Sequence, residues 1–288
     1  SRRVVGALAE TLGFGIERAA IGILDIVSAN MVRAIRAISV ERGHDPRDFV
    51  LMPFGGAGPL HAEGCARALG IREILVPYSP GILCAQGLLV ADRSESFVRS
   101  QRFGLAEGAE DILEGLVAEL SEEASRWWES EAVAQADRSR RLAIDMRYAS
   151  QNYELQVAVD ELPDLRRLRE LFFAAHDQAY GFHNPTDPVD VVAVRLTAFG
   201  RLPSPGLPPA PETAASTPEP RDRRPVWFEA EGPHDTPVYD RRTLAAGARI
   251  EGPAVIDQFD ATTLVFPGDV ATVDEALNIV IRRGSDAR

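Results

Sequence analysis

Apolar side chains recur every three to four residues in several stretches of the chain, which is the spacing of a helix with one buried face. One long stretch runs from 17 to 42, and Gly43 after it can adopt the left-handed backbone that ends many helices. The stretch from 81 to 90 is almost wholly apolar and is expected to be a buried helix. In all, this spacing predicts helices over 17–42, 59–69, 81–90, 107–135 and 165–180.

Other segments alternate between apolar and polar residues, which is the period of a strand. Residues 140–159 alternate on both sides of a turn at 150–152 and predict a β-hairpin, and 189–199 predict a further strand. Two short apolar runs, 49–52 and 74–76, are expected to be buried strands. Because these runs alternate with helices, they predict a βαβ layer.

The composition changes at 201–224, where seven prolines occur among alanine, serine and threonine. A segment of this kind builds no core and predicts a linker or a surface excursion. We therefore expect four parts: an α/β region (1–100), an α+β region with a hairpin and a helix (101–200), this linker (201–224) and a β-rich C-terminal subdomain (225–288).

Composition and charge narrow the function classes. The 288 residues, 45% hydrophobic and 26% charged, are typical of a soluble globular protein with one large or two ordinary domains. A net charge of -12 argues against a nucleic-acid partner, because phosphate binding needs a basic surface. No apolar run approaches the ~18 residues of a membrane span. Cys65 and Cys84 lie in apolar segments and are expected to be buried thiols of a cytoplasmic protein. Because the chain begins without methionine, we expect a fragment or a processed piece.

The residue types exclude several chemistries. The chain contains no lysine, so neither Schiff-base catalysis nor a lysine-containing phosphate loop is available within it. His-x-x-x-His and Cys-x-x-Cys do not occur, and no metal site is expected. His176 and Asp177 are interpreted as surface or capping groups, and two arginine pairs, 241–242 and 282–283, as solvated. Spacing assigns no catalytic role to any of the candidate acids and bases, which are Asp145, Glu154, Asp257 and Asp260.

Residues 49–70 are the stretch around which the chain is organised. An apolar run ends at Pro53, and two adjacent glycines, an alanine and a third glycine then lead into the helix predicted from Pro59. Glycine has no Cβ, so a ligand can lie directly on its backbone, and the free N–H groups of a helix start favour anions. The alternative is a tight strand-to-helix turn of any α/β protein, and spacing alone does not decide between the two.

Several segments, in order along nearly the whole chain, resemble the hydantoinase A / 5-oxoprolinase family, whose members couple ATP hydrolysis to chemistry on amide or ketone carbonyls. They are ERGHDPRDF (41–49), FGGAGPLHA (54–62), VPYSPGILCAQGLLVAD (76–92), MRYASQNYEL (146–155), AYGF (179–182) and GPAVIDQFDATTLVFPG (252–268). The resemblance implies an α/β fold: the second lobe of an actin/hexokinase-like (ribonuclease H-like) ATPase, followed by an α+β region and a small β-rich C-terminal subdomain. The first-lobe phosphate motif of that superfamily is not in the sequence, and family members are usually more than twice this length. We therefore expect the C-terminal portion of such a protein.

The resemblance also implies a nucleotide site, because a glycine pair in the second lobe of that superfamily contacts the adenosine side of ATP. Asn30 is either a contact in the nucleotide or substrate cleft or a hydrogen-bonded helix asparagine. His61 either contacts a nucleotide or substrate, or packs at the start of its helix. The implied cofactors are ATP and Mg²⁺, with the metal ligands expected outside this chain. Carried over to this sequence, the implied turn consists of Gly55, Gly56, Ala57 and Gly58.

The function implied by the resemblance is the C-terminal part of an ATP-dependent hydantoinase/oxoprolinase A-type subunit, inactive alone. The complete enzyme would phosphorylate a carbonyl oxygen of a cyclic amide, which water then cleaves. The implied partners are the missing N-terminal ATPase lobe, a hydantoinase B-type subunit and a small cyclic amide or ketone. Two alternatives stay open: a component of an ATP-dependent ketone carboxylase, and a non-catalytic nucleotide- or partner-binding subunit of a split enzyme.

Overall fold

The computed structural model of the chain describes residues 1–203, 218–229 and 232–284. Its helices are α1 (Arg2–Leu12), α2 (Ile16–Ile38), α3 (Gly58–Leu69), α4 (Leu83–Val90), α5 (Ala109–Ser130) and α6 (Leu165–Tyr180). Its strands are β1 (Glu73–Val76), β2 (Arg93–Gly104), β3 (Arg138–Tyr148), β4 (Leu155–Val159), β5 (Val189–Gly200), β6 (Asp222–Val226), β7 (His234–Asp240), β8 (Arg249–Glu251), β9 (Ala254–Asp257), β10 (Thr262–Val265), β11 (Val270–Val273) and β12 (Ile279–Arg282).

The described residues divide into two compact units. We call them the terminal unit (1–88, 218–229 and 232–284) and the central unit (89–203). The terminal unit contains both ends of the described chain. Its first strand, β1, pairs along its length with its last strand, β12.

This division differs from the four predicted parts. The described residues after 225 do not form a subdomain of their own, since their strands β8, β11 and β12 build one sheet with β1. Sequence patterning locates a strand but does not reveal a pairing partner some 200 residues away. The predicted linker falls largely on 204–217, outside the described residues, and its last residues begin strand β6.

The terminal unit contains two four-stranded sheets. One has the order β1-β12-β11-β8 and is antiparallel throughout, and the other has the order β10-β9-β7-β6, in which β7 and β9 run parallel. The core between these elements includes alternate residues of β1, β9 and β12. Helix α3 contributes Ala62, Cys65, Ala66 and Leu69 to the same core. This packing fixes the position of the helix that follows the glycine-rich stretch.

The central unit is one antiparallel sheet of order β2-β5-β3-β4, packed against α5 and α6. Leu113, Leu116 and Leu120 form the buried face of α5, and Leu168 and Phe172 that of α6. Their three- and four-residue spacing is the stripe that predicted these helices. The predicted hairpin is formed by β3 and β4, and the predicted strand 189–199 by β5.

Glycines end two of the predicted helices where expected, Gly70 after α3 and Gly181 after α6. The helix predicted over 17–42 is shorter, because α2 ends at Ile38 and Gly43 ends the 3₁₀ turn Val40–Arg42 that follows it. Gly43, Gly70 and Gly181 all adopt left-handed backbone, with φ of 78°, 72° and 79°. Only glycine adopts this conformation without a steric penalty, so these positions terminate helices reliably. At the other end of α6, the carboxylate of Asp164 accepts the N–H of Arg167 at 2.7 Å and caps the helix.

Two apolar runs are less buried than predicted. In the run 49–52, Leu51 forms an isolated parallel bridge to Ile74, and its neighbours are about half exposed. Of the predicted βαβ layer only this parallel bridge is present, because the strand that pairs along β1 is the antiparallel β12. None of the residues of α4, in the run 81–90, is buried. Apolar composition shows that a segment favours burial, but not that the described residues supply its cover.

The two cysteines differ in burial, because α3 packs against the core of the terminal unit whereas no residue of α4 is buried. Cys65 is buried on the core face of α3, as predicted, whereas Cys84 on α4 is exposed and its predicted burial is wrong. Strand β2, before α5, has no counterpart among the predicted elements: its 12 residues show no alternation, because most of them are exposed. Within the described ranges, no helix is both long and apolar enough to cross a membrane.

Candidate functional site

The glycine turn, residues 55–58, connects the apolar run ending at Pro53 with α3. Gly55 has a φ of 82°, a conformation that other residues rarely adopt. Its N–H donates to the Pro80 carbonyl at 2.7 Å, and its own carbonyl accepts the Gly58 N–H at 3.1 Å. Main-chain hydrogen bonds therefore hold the turn in a shape that requires glycine.

Asp260 ties the glycine turn to two other segments. A Cβ at Gly56 would lie 3.1 Å from the Asp260 carbonyl oxygen, closer than an ordinary contact. The Asp260 carboxylate accepts the Gly81 N–H at 2.9 Å, and a Cβ at Gly81 would lie 2.5 Å from that carboxylate. Gln258 donates from Nε2 to the Tyr78 carbonyl at 2.7 Å. Glycine at these positions allows three segments to pack closely, and sequence spacing had left Asp260 unassigned.

Arg241 supports the segment that contacts the turn. Its guanidinium lies over the Tyr78 ring, 5.3 Å from the centroid, and the residue is only 2% exposed. Burial lowers the pKa of Arg241 to about 10, an effect that the nearby Tyr78 and Asp274 partly offset. The interpretation as a solvated pair is therefore wrong for Arg241, although it holds for the exposed Arg242. Sequence does not distinguish the two, because arginine combines an apolar stem with a charge.

Helix α3 begins at Gly58 without a side-chain cap. The first N–H groups of a helix have no intrahelical acceptor, and Pro59 has no N–H to offer. The N–H of Gly58 is already used by the turn, which leaves that of Leu60 as a donor for an external acceptor. A helix start of this kind favours an anion.

The structure brings together most of the predicted nucleotide residues. Four form the glycine turn, where Ala57 is exposed, and His61 is half-buried in the first turn of α3. Asn30 lies exposed on α2, where its Oδ1 accepts a hydrogen bond from Arg33 at 2.8 Å. This is the hydrogen-bonded helix asparagine that the sequence also allowed. A contact between either side chain and a nucleotide stays a prediction.

The core side of α3 carries a buried carboxyl group. Glu63 is 1% exposed and forms ion pairs with Arg67 at 2.8 Å and Arg283 at 3.2 Å. Arg67 also pairs with Asp269 at 3.1 Å. Burial and the charge of Asp269 raise the pKa of Glu63 to about 7, against the opposing effect of the two arginines. Arg283 is largely buried here, so its interpretation as solvated is wrong, whereas Arg282 is exposed.

The remaining candidate acids all have arginine partners, which indicates structural roles. The pairs are Asp145–Arg195 (2.7 Å), Glu154–Arg147 (3.7 Å) and Asp257–Arg221 (2.7 Å). Asp257 and Arg221 also line a cavity of about 410 Å³, together with Asp240. Hydrogen bonds from Arg242 lower the pKa of Asp240 to about 2, so the charges in this cavity compensate one another. Within the part of the chain that the structure describes, no group of three or more His, Cys, Asp or Glu side chains could hold a metal ion.

His176 differs most from its prediction. It is 1% exposed, whereas Asp177 is exposed and pairs with His183 at 2.7 Å. The interpretation as surface or capping groups is therefore wrong for His176. The spacing could have indicated this burial, because Phe172, His176 and Tyr180 are four residues apart and share one face of α6.

Comparison with known proteins places these features in a family. The family model described as hydantoinase/oxoprolinase matches residues 1–96, and that of the hydantoinase/oxoprolinase C-terminal domain matches 105–281. The chain belongs to the hydantoinase/oxoprolinase family. The resemblance to this family found in the sequence is thereby confirmed.

Two curated relatives cover nearly all of the chain. An uncharacterized protein of Methanocaldococcus jannaschii is 35% identical over 96% of this chain and 39% of its own length. Caprolactamase subunit alpha of Pseudomonas jessenii is 31% identical over 96% of this chain and 41% of its own length. The chain thus spans about two fifths of the length of these relatives.

A solved structure has the same fold. The crystal structure of ATP-dependent caprolactamase from Pseudomonas jessenii superimposes with a TM-score of 0.85 at 30% identity, covering 97% of this chain and 42% of that one. The hydantoinase family has an actin-like ATPase fold, and the predicted mixed α/β class is confirmed.

Proposed function

We propose that this chain is the C-terminal part of the A-type subunit of an ATP-dependent cyclic amide hydrolase of the hydantoinase/oxoprolinase type. The observation that carries the proposal is the glycine turn, whose required glycines and uncapped helix start lie within the family match over 1–96. The similarity to caprolactamase subunit alpha supports a lactam or a related cyclic amide as the substrate class. The chain would not be active alone.

In this proposal the glycine turn lies against the adenosine side of ATP. A Cβ at Gly55 would meet nothing within 4 Å, so the main chain there is uncovered for a flat group, and the N–H of Leu60 favours a nearby phosphate oxygen. Bound ATP supplies the phosphoryl group that makes the amide carbonyl carbon susceptible to water. We assign Mg²⁺ and the contacts to the terminal phosphate to residues outside this chain, as the resemblance to the family implies.

The partner that completes this site is proposed to be an N-terminal ATPase lobe. Helix α2 exposes a stripe of large apolar residues, which a soluble helix normally buries. The exposed fraction is 66% for Ile26 and 64% for Ile38. A hydantoinase B-type subunit is the second proposed partner, supported by the name of the relative as one subunit of its enzyme. A cyclic amide is the small-molecule partner, and use of ATP and free thiols fits a cytoplasmic location.

The nucleotide site is tested by calorimetric titration of ADP and ATP with Mg²⁺, on this chain alone and with the N-terminal lobe added. Ala57 is exposed and has ordinary helical backbone angles, so Ala57→Phe covers the turn without straining it. We expect this variant to weaken nucleotide binding at least tenfold. Ala118→Phe, at an exposed position of α5, is the control and should bind as the wild type does. Equal affinity in Ala57→Phe, or no binding even with the lobe present, would contradict the proposal.

The lobe interface is tested with Ile26→Glu. A carboxylate in the centre of an apolar interface must be desolvated, so we expect at least a tenfold loss of affinity for the N-terminal lobe. Ala29→Glu places the same group at another exposed position of α2 and should cost much less. Sedimentation velocity of the mixed chains measures both. An unchanged complex with Ile26→Glu would show that the stripe faces something else.

A further inference from the structure

The central unit contains a cleft of about 340 Å³ that the proposed function does not use. This volume lies within the usual range of small-molecule sites, which begins near ~300 Å³. Three separate segments supply its walls: the β3–β4 connection, helix α6 and the loop after it. The lining residues are Gln151, Asn152, Tyr153, His176, Tyr180 and Phe182. We call it the His176 cleft.

His176 is the buried member of this lining. Its ring lies 4.7 Å from that of Tyr180, 5.1 Å from that of Phe182 and 4.9 Å from that of Tyr148, centroid to centroid. Tyr180 and Phe182 are each at least half exposed, so they present apolar ring surface at the cleft while the imidazole lies deeper. The cleft therefore combines aromatic walls with a polar group at its buried side.

The hydrogen bond at one ring nitrogen of His176 determines whether the other ring nitrogen donates or accepts. Nδ1 of His176 lies 2.5 Å from the Phe182 carbonyl oxygen. A carbonyl oxygen only accepts, so Nδ1 carries the proton, and Nε2 of the neutral ring is then an acceptor. Nε2 is buried and has no hydrogen-bond partner among the described residues. A buried, unpaired acceptor is unfavourable, and a ligand N–H or O–H would remove that penalty.

The amide side chains at the rim narrow the ligand class. Gln151 and Asn152 each carry an NH₂ donor and a carbonyl acceptor, the complement of another amide. No Lys, Arg, Asp or Glu is among the residues that line the cleft, so a charged ligand would have no counter-charge there. Aromatic walls suit an apolar ring.

We propose that the His176 cleft binds a small uncharged secondary amide with an apolar ring, its N–H donating to Nε2 of His176 and its carbonyl accepting from Asn152 or Gln151. The binding chemistry follows from the cleft alone, although its identification as a substrate site would rest on the proposed function. The experiment uses no nucleotide, so a negative result would not bear on the glycine turn. A failed nucleotide titration would likewise not bear on the His176 cleft.

The probe is 2-piperidone, a six-membered cyclic amide, and its matched control is N-methyl-2-piperidone, which lacks the N–H. The chain contains five histidines, so labelling with [¹⁵N]histidine gives a small set of imidazole signals. The His176 signals are identified by their absence in His176→Asn. In this variant the asparagine NH₂ can still donate to the Phe182 carbonyl, but the acceptor at the position of Nε2 is gone.

We expect 2-piperidone to shift the Nε2 signal of His176 saturably and the N-methyl compound to shift it at least tenfold more weakly. At least one of Gln151→Ala and Asn152→Ala should weaken binding about three- to tenfold, and Gln135→Ala, an exposed amide outside the cleft, should leave it unchanged. The proposal is overturned if 2-piperidone produces no saturable shift, if both compounds act equally, or if Gln151→Ala and Asn152→Ala both bind like the wild type.

Discussion

In the terminal unit, the glycine turn presents main-chain groups that no side chain covers, and in the central unit, the His176 cleft presents side chains from three separate segments. The turn depends on what is absent: a Cβ at Gly56 would crowd the Asp260 carbonyl. The cleft depends on what is present, above all on the unpaired Nε2 of His176. Removal of atoms should therefore damage the cleft, whereas addition of atoms should damage the turn.

The helices beside the two sites are also held differently. Helix α3, after the glycine turn, carries a buried cluster of ionisable groups, Glu63, Arg67 and Asp269. The face of helix α6 beside the cleft packs through neutral groups, including an edge-to-face contact between Phe172 and Tyr148 with ring centroids 5.1 Å apart. Changes of pH should therefore alter the stability of the first helix, and the loss of single neutral groups should alter that of the second.

The largest expected effect is the pH dependence caused by Glu63. Its pKa is raised from the ordinary value of 4.5 to about 7 by burial. Between these values the folded state holds a proton that the unfolded state has lost, so stability falls as pH rises through this window. The full difference is roughly 3 kcal/mol, at ~1.4 kcal/mol for each pKa unit.

Glu63→Gln keeps the shape of the side chain and removes its titration. Urea-unfolding midpoints are measured from pH 4 to pH 8, and that of the wild type should fall relative to that of Glu63→Gln as pH rises through this window. Glu114→Gln, at an exposed position of α5, is the control and should follow the wild type. Parallel curves for Glu63→Gln and wild type would show that burial does not raise the pKa of Glu63 in this way.

An added methyl group at Gly81 should have the next largest effect. Its Cβ would lie 2.5 to 2.8 Å from the Asp260 side chain, which must move and release the Gly81 N–H. We expect Gly81→Ala to lower the free energy of unfolding by about 2 kcal/mol, a typical cost of overpacking.

The matched control is Gly87→Ala on α4, where a Cβ meets nothing within 4 Å. It should be neutral or stabilising by up to ~1 kcal/mol, because alanine favours a helix over glycine. Equal unfolding midpoints for the two variants would mean that the segments around the turn are packed less closely than the structure shows.

The smallest effect is expected beside the cleft. The Tyr148 hydroxyl accepts the Asn184 N–H at 2.7 Å, and Tyr148→Phe removes this acceptor while the ring stays. The loss should be about 1 kcal/mol, the usual contribution of one hydrogen bond. Tyr153→Phe, at a residue that is 78% exposed, should change the unfolding midpoint little. Equal midpoints for Tyr148→Phe and wild type would contradict a stabilising role of this hydrogen bond.

The two regions also differ in how far sequence predicted them. The glycine turn and the end of α3 at Gly70 follow from residues that are adjacent in sequence and restricted by backbone geometry, so local reasoning located them. The predicted helix 165–180 agrees with α6 for the same reason. The residue spacing itself contained this information.

The cleft and the buried charges were missed because their neighbours are distant in sequence. Nothing local shows that Arg283 meets Glu63, 220 positions before it, or that His176 lies between Tyr148 and Phe182. The pairing of β1 with β12 was missed for the same reason. Arginine and histidine are polar by type, so their burial depends on tertiary contacts that composition does not reveal.

The most direct test of the account is to observe the glycine turn itself while nucleotide binds. With [¹⁵N]glycine labelling, the chain gives signals from its 23 glycines, and ADP with Mg²⁺ is titrated in the presence of the unlabelled N-terminal lobe. The account predicts that Gly55, Gly56 and Gly58 shift together and saturably, while Gly115 and Gly181 of the central unit do not. Saturable shifts in the central unit without any at the turn, or no shift at all, would contradict it.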